Sequence, residues 1–574
     1  TRFRWLAPAG VADLDGDGRS NVDEFLNGTD IASDDVAPVL SAPADRVVAS
    51  TGYQTPISLG AAPANDVLDG PLAATVDNAG PYRPGRYSLN WQATDAAGNT
   101  ATAMQTLDVL PQANFSRSSV AGVEGSVATI RVQLNGVAPA YPVVLAIEAT
   151  GSATADGDFD LATTSLEISD GLEASFDISL IADGLGDDRE SVDLAISGAA
   201  GAVIGNAATQ RLIIAEGNVL PEVSISSSQA GEPRTVVIAA DGVVSLEALV
   251  EDPNPADGQL YDWSLTDSAL QPAEGYNAST FSFDASGVAE GLYRVRLNVV
   301  ATGNPLQPQV AQRWLRVLTN APVLDDANDT DGDGVADQSD GIGDADLDGV
   351  ADWLDAVDST ALLLREAGGS AYLQTDPGLT LRLGSTAVAA GDDAAITLAD
   401  IAAFGSDGGP ALAAEDAEFS YVTDPVDFTI DGLTTAGDSA RVVVPLGGSI
   451  PADAFYRKYV ADIGWQSFVD GVNDNIASAL GTAETCPAPG SSEYQPGVTE
   501  GHRCVQLTLS DGGPNDADGQ ANRTISDPGG VAMRSVIATI SLSALSLPDV
   551  NVTAGQTDVP MLRFRLTSNT GRTR

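Results

Sequence analysis

The sequence predicts a mainly β protein, built as tandem sandwiches joined by Asp-rich ribbons. Apolar and polar residues alternate with period two between clusters of Gly, Pro, Asn and Asp, the pattern of half-buried strands. Long helical periodicity is nearly absent, which favours sandwiches over parallel α/β sheets. Asp and Gly concentrate in two stretches that lack such alternation, near the start and past the middle of the chain.

Strands are clearest at Tyr87/Leu89/Trp91/Ala93, Ile130/Val132/Leu134, Phe176/Ile178/Leu180, Tyr293/Val295/Leu297/Val299 and Val505/Leu507/Leu509, where alternate large residues share one face. The 574 residues exceed what one core supports, and about 100–150 residues per domain gives several units. Composition divides them into an Asp/Gly head at 1–36, strand-rich blocks at 37–111, 112–217 and 218–320, a second ribbon at 321–360, a larger block at 361–545, and the start of a further β unit at 546–574.

Acidic residues number 80 against 27 basic ones, a formal charge of −53, which repels nucleic acid and points to cations as partners. The acids are not spread evenly. Asp13, Asp15, Asp17, Asn21 and Glu24 stand at positions 1, 3, 5, 9 and 12 of a loop, with Gly18 at the sharp turn and the Arg19 carbonyl at position 7. Calcium takes six to eight hard oxygens, and this spacing wraps a chain around one ion. The pattern returns at Asp329, Asp331, Asp333, Val335 (carbonyl), Asp337 and Asp340, then at Asp344, Asp346, Asp348, Val350 (carbonyl), Asp352 and Asp355. Only Gly341, Ile342 and Gly343 separate the last two loops, which leaves no room for the helices of an EF-hand pair.

These loops resemble thrombospondin type 3 repeats, and that resemblance implies calcium-packed, nearly coreless connectors; for the first loop, half of a dockerin is the alternative. Trp91 followed by Asp95-Ala96-Ala97-Gly98-Asn99 resembles the closing strand and turn of HYR and related Ig-like domains. Residues 112–217, with Val123-Glu124-Gly125, Asp158-Phe159-Asp160 and the acidic run Asp183 to Glu190, resemble a Calx-β domain; the resemblance implies calcium ligands at Glu124, Asp158, Asp183, Asp188 and Glu190, with a solvated acidic rim as the other reading. Residues 218–320, with Asp252-Pro253-Asn254-Pro255, Tyr261-Asp262-Trp263 and Gly291-Leu292-Tyr293, resemble a PKD-type domain, where Trp263 reads as core rather than as a sugar platform.

The larger block carries Phe455-Tyr456-Arg457-Lys458-Tyr459, Gly464-Trp465-Gln466 and Asp527-Pro528-Gly529-Gly530, and resembles the choice-of-anchor domains, type U, of bacterial exported proteins. Asp511, Asn515, Asp516, Asp518 and Asp527 offer a further set of calcium oxygens, or metal-free Asx turns. Cys486 and Cys504 allow one disulfide in an oxidising compartment, or two buried thiols. The whole reads as tandem Ig-like β-sandwiches joined by calcium-binding ribbons.

No apolar run reaches the length of a membrane span, and neither end carries a leader or anchor, so both are expected to lie outside the chain. With His502 as its one histidine and no GxSxG, HExxH or GxxxxGK[ST] motif, the chain is expected not to be an enzyme. The expectation is a calcium-rigidified, adhesive or structural segment of a secreted protein on the surface of a Gram-negative-type bacterium, forming an extended rod or filament. Its partners would be calcium, other surface proteins, glycans or copies of itself. The alternative is the accessory or carbohydrate-binding region of a large secreted hydrolase.

Overall fold

Alternation becomes burial in the first module. Strands Gly85–Thr94 and Thr100–Leu110 form an antiparallel hairpin that turns over Asp95 to Asn99, with Thr94 opposite Thr100. Leu89, Trp91, Ala93, Leu107 and Val109 face inward from it. The Asp95 carboxylate accepts the Gly98 and Asn99 amides at 2.7 and 2.8 Å, fixing a turn in which Gly98 takes φ +98°. A three-stranded and a four-stranded sheet make up this sandwich.

The computed structural model describes residues 13–535 except 183–189, 216, 255, 273–274, 392, 406–415, 417 and 461–462. The unit expected at 546–574 lies outside the described residues. Two five-stranded sheets form the second module, with Ser119–Val123 added in parallel to Thr209–Ala215 at one edge. Two four-stranded sheets form the third, around Trp263, whose Nε1 donates to the Ala278 carbonyl at 2.9 Å. The protein is mainly β, as the sequence predicts.

Two six-stranded sheets face each other in the larger block. Strand Cys504–Ser510 lies inside the first, between Ser439–Pro445 and Asn475–Ala479, and nearly all of its residues are buried, the polar Gln506 included. Strand Ile525–Arg534 lies inside the second, between Val426–Asp431 and Ala454–Val460. Cys486 and Cys504 form a disulfide, tying the 480–503 excursion to the sheet. Two short helices, Ser385–Ala390 and Leu398–Phe404, escape the period-two pattern; Thr397 and Asp400 start the second with a reciprocal capping box.

Contacts between modules depart from the extended rod expected from charge. Ala488 donates its amide to the Thr51 carbonyl at 3.1 Å, and the Tyr53 and Tyr372 rings meet edge-on at 5.1 Å. Asn206 of the second module reaches the Pro489 carbonyl at 3.2 Å. Arg523 reaches the Pro221 carbonyl of the third at 2.9 Å. Each of the three sandwiches thus touches the larger block, whose apolar core also takes in Tyr53, Trp314, Val350 and Leu354. Burial of those four side chains, at about 1.5–3 kcal/mol for a large one, opposes the charge repulsion that favours extension.

Candidate calcium centres

In each of the three loops, backbone amides engage the carboxylates, on both oxygens of Asp13 and Asp329 and on one oxygen of Asp346 and Asp348. The position-1 residue accepts the amide of the position-6 glycine: Gly18 to Asp13 at 2.9 Å, Gly334 to Asp329 at 3.2 Å and Gly349 to Asp344 at 3.2 Å. Oδ1 at positions 3 and 5 accepts the amide two residues on, as in Asp348 to Asp346 at 3.2 Å and Val350 to Asp348 at 2.7 Å. The side chain at position 9 closes the loop: Asn21, Asp337 and Asp352 accept the amides of Leu14, Thr330 and Ala345 at 2.9, 2.7 and 2.8 Å.

Other oxygens in and beside the loops have no partner. Buried and unsatisfied are Asp15 Oδ2, both Glu24 carboxylate oxygens, Asp35 Oδ2, Asp331 Oδ2, Asp340 Oδ2, Asp344 Oδ1, Asp346 Oδ2 and Asp348 Oδ2. Ligand atoms of Asp13, Asp15 and Asp17, of Asp329, Asp331 and Asp333, and of Asp344, Asp346 and Asp348 lie within 4.8 Å of one another. Buried carboxylate oxygens that share so small a space without a donor require a cation or protons. Residues at positions 1, 3, 5 and 12, with the position-7 carbonyl, therefore fit calcium, and position 9 also holds the loop's shape.

The third loop is wedged between modules. Asp344 donates its amide to the Pro233 carbonyl at 2.9 Å, Arg313 reaches the Leu347 carbonyl at 3.3 Å, and Leu383 donates to the Asp348 carbonyl at 2.7 Å. Tyr372 donates to Asp355 Oδ1 at 3.1 Å, binding position 12 to the larger block. Val350 and Leu354 are buried, so this ribbon is not coreless. Burial first, and then neighbouring negative charge, pushes the Asp346 carboxyl up to about 8, the Asp348 carboxyl well above its ordinary range and the Asp355 carboxyl up to about 7. Asp344 is raised to about 6 by burial, against the pull of Thr235 and Arg313.

No protein-family model matches the chain, and no curated protein matches it. Among solved structures, the apo CBD1 domain of Calx is 20% identical over 18% of this chain and 96% of that one, with a TM-score of 0.18. Drosophila N-cadherin EC1-3 is 7% identical over 48% of this chain and 98% of its own, with a TM-score of 0.23. Protocadherin Gamma B7 domains 1–4 are 14% identical over 49% of this chain and 76% of that one, with a TM-score of 0.17. All three are built of β-domains, and likenesses this slight carry no functional argument.

Elsewhere the sequence-predicted sets fare unevenly. Asp183 and Asp188 lie outside the described residues. Asp158 accepts the Thr154 amide and hydroxyl at 2.6 and 2.8 Å and hydrogen-bonds with Glu190, while Glu124 stands on the turn after strand Ser119–Val123. In the set at 511–527, amides and a lysine engage the oxygens. Asp511 accepts the amides of Gly437, Asn522 and Arg523, Asp516 those of Gly512 and Ser526, and Asp518 that of Gln520. Asn515 exchanges hydrogen bonds with Val469 at 2.9 and 2.8 Å. Asp527 lies instead against Lys458, whose Nζ is 2.9 Å from Oδ1 and takes the place of a metal cation.

Two features escaped the sequence. Asp35, beyond the first loop, brings an oxygen within 4.8 Å of those of Asp17 and Glu24, and the Arg19 guanidinium pairs with it at 2.7 Å. Asp34, Asp66 and Asp95 likewise converge where the head meets the first sandwich, although amides of Val36, Leu68 and Gly98 already engage them. A ligand supplied from outside the twelve-residue loop has no spacing signature. Buried His502 places Nδ1 3.0 Å from Ser478 Oγ, which also lies 2.8 Å from the Gly497 carbonyl and accepts the Thr499 amide at 2.9 Å.

Proposed function

We propose that the chain is a non-catalytic, calcium-binding structural segment of an extracellular, adhesive protein displayed on a bacterial surface, and that calcium locks its modules against the larger C-terminal block. What carries this proposal is the set of orphaned carboxylate oxygens in three loops, above all those of Asp344, Asp346 and Asp348 at the junction with the third sandwich. A disulfide and strong acidity suit an oxidising compartment of high calcium.

Because metal binding orders loops of this kind, its free energy becomes folding free energy. Small-angle scattering of the full chain in calcium and in EDTA tests the lock. The radius of gyration should rise on chelation and return when calcium is restored. An identical profile in both buffers would remove calcium from the junction.

A further inference from the structure

Lys458 is the only lysine in the sequence; the other 26 basic residues counted with it are arginines. Arginine stays protonated and cannot act as a nucleophile, whereas a desolvated lysine can. The fold hides this one amine completely, with Asp527, which is also fully buried. Strands Ala454–Val460 and Ile525–Arg534 pair antiparallel with Lys458 opposite Gly529, and this register holds Nζ 2.9 Å from Asp527 Oδ1. Nζ also donates to the Asn515 backbone carbonyl, which orients it.

The surroundings are shaped for close approach. A Cβ on Gly529 would stand 2.9 Å from Asp527 Oδ1 and 2.7 Å from the Tyr456 ring, so glycine keeps the space open. The buried Tyr456 hydroxyl has no hydrogen-bond partner. A second buried carboxylate, Asp427, lies on the neighbouring strand Val426–Asp431, its Oδ2 held by the Thr386 and Ala387 amides.

We propose that Lys458 and Asp527 condense into an intramolecular amide, an isopeptide cross-link between the two strands. The ammonium gives one proton to the Asp527 carboxylate, the neutral amine attacks Cγ, the Cγ–O bond breaks, and the departing oxygen leaves as water with two protons. No oxidant, reductant or further reactant enters. An ion pair deprived of solvent is a poor ground state, and fixed strands supply the proximity that makes amide formation intramolecular. The product removes two buried charges and ties the sheet covalently, as suits a segment that bears load outside the cell.

The test is the intact mass of the denatured, purified full chain, with digestion by a lysine-specific protease. A cross-linked chain weighs one water less than its sequence, after allowance for the Cys486–Cys504 disulfide, and resists cleavage at Lys458. The Lys458→Arg and Asp527→Ala variants return to full mass; Asp527→Ala is cut once. Should a variant fail to fold, the wild-type chain still decides. Full sequence mass with cleavage at Lys458 would overturn the proposal.

Discussion

Asp346→Asn is expected to have opposite effects with and without calcium. Asp346 keeps one oxygen for the Asp348 amide and leaves the other unpaired among the Asp344 and Asp348 carboxylates. Asparagine retains the loop-shaping acceptor and removes a negative charge. In EDTA at pH 8 the variant should be more stable than wild type, by on the order of 1 kcal/mol, the worth of about one pKa unit. In saturating calcium it should be less stable, because losing an anionic ligand weakens binding at least about tenfold, or about 1.4 kcal/mol. Thermal melts in the two buffers read the crossing. A variant destabilised equally in both would mean that Asp346 is a packing residue.

Proton linkage gives the second large effect. In the calcium-free fold, Asp346 and Asp355 hold protons up to about 8 and about 7, while the unfolded chain releases them near the ordinary value of 3.8. The folded state then binds more protons than the unfolded state across that interval, so stability in EDTA should fall as pH rises from about 4 to about 8. Calcium reverses the sign, since it binds the deprotonated carboxylates and expels those protons. The gain in melting temperature from calcium should therefore be small near pH 5 and largest near pH 8. At a free concentration a hundredfold above Kd, it corresponds to about 2.7 kcal/mol per site. A gain independent of pH would show that these carboxylates do not hold the ion.

Local rules were legible and distant contacts were not. Spacing alone locates the carboxylates at positions 1, 3, 5 and 12, because the chain must curl within a dozen residues to surround one ion. The same rule leaves the 511–527 segment open, since acidic spacing cannot tell whether amides or a cation will satisfy the oxygens. Asp527 shows why: Lys458 reaches it through strand pairing, 69 positions away in sequence.

Net charge suggested an extended rod, yet Tyr53 packs on Tyr372 and Trp314 enters the core of the larger block. Such contacts join residues far apart in the sequence and leave no periodic trace. Strand Cys504–Ser510 makes a related point. Its alternation predicted one wet face, but that face is covered, and Gln506 accepts the Gly490 amide at 2.7 Å instead of meeting water.

Calcium held by the three loops is the central claim, and equilibrium dialysis of the full chain against millimolar calcium, followed by elemental analysis, tests it most directly. Three ions per chain are predicted, one for each set headed by Asp13, Asp329 and Asp344. A chain that retains no calcium above the dialysis buffer would contradict the account.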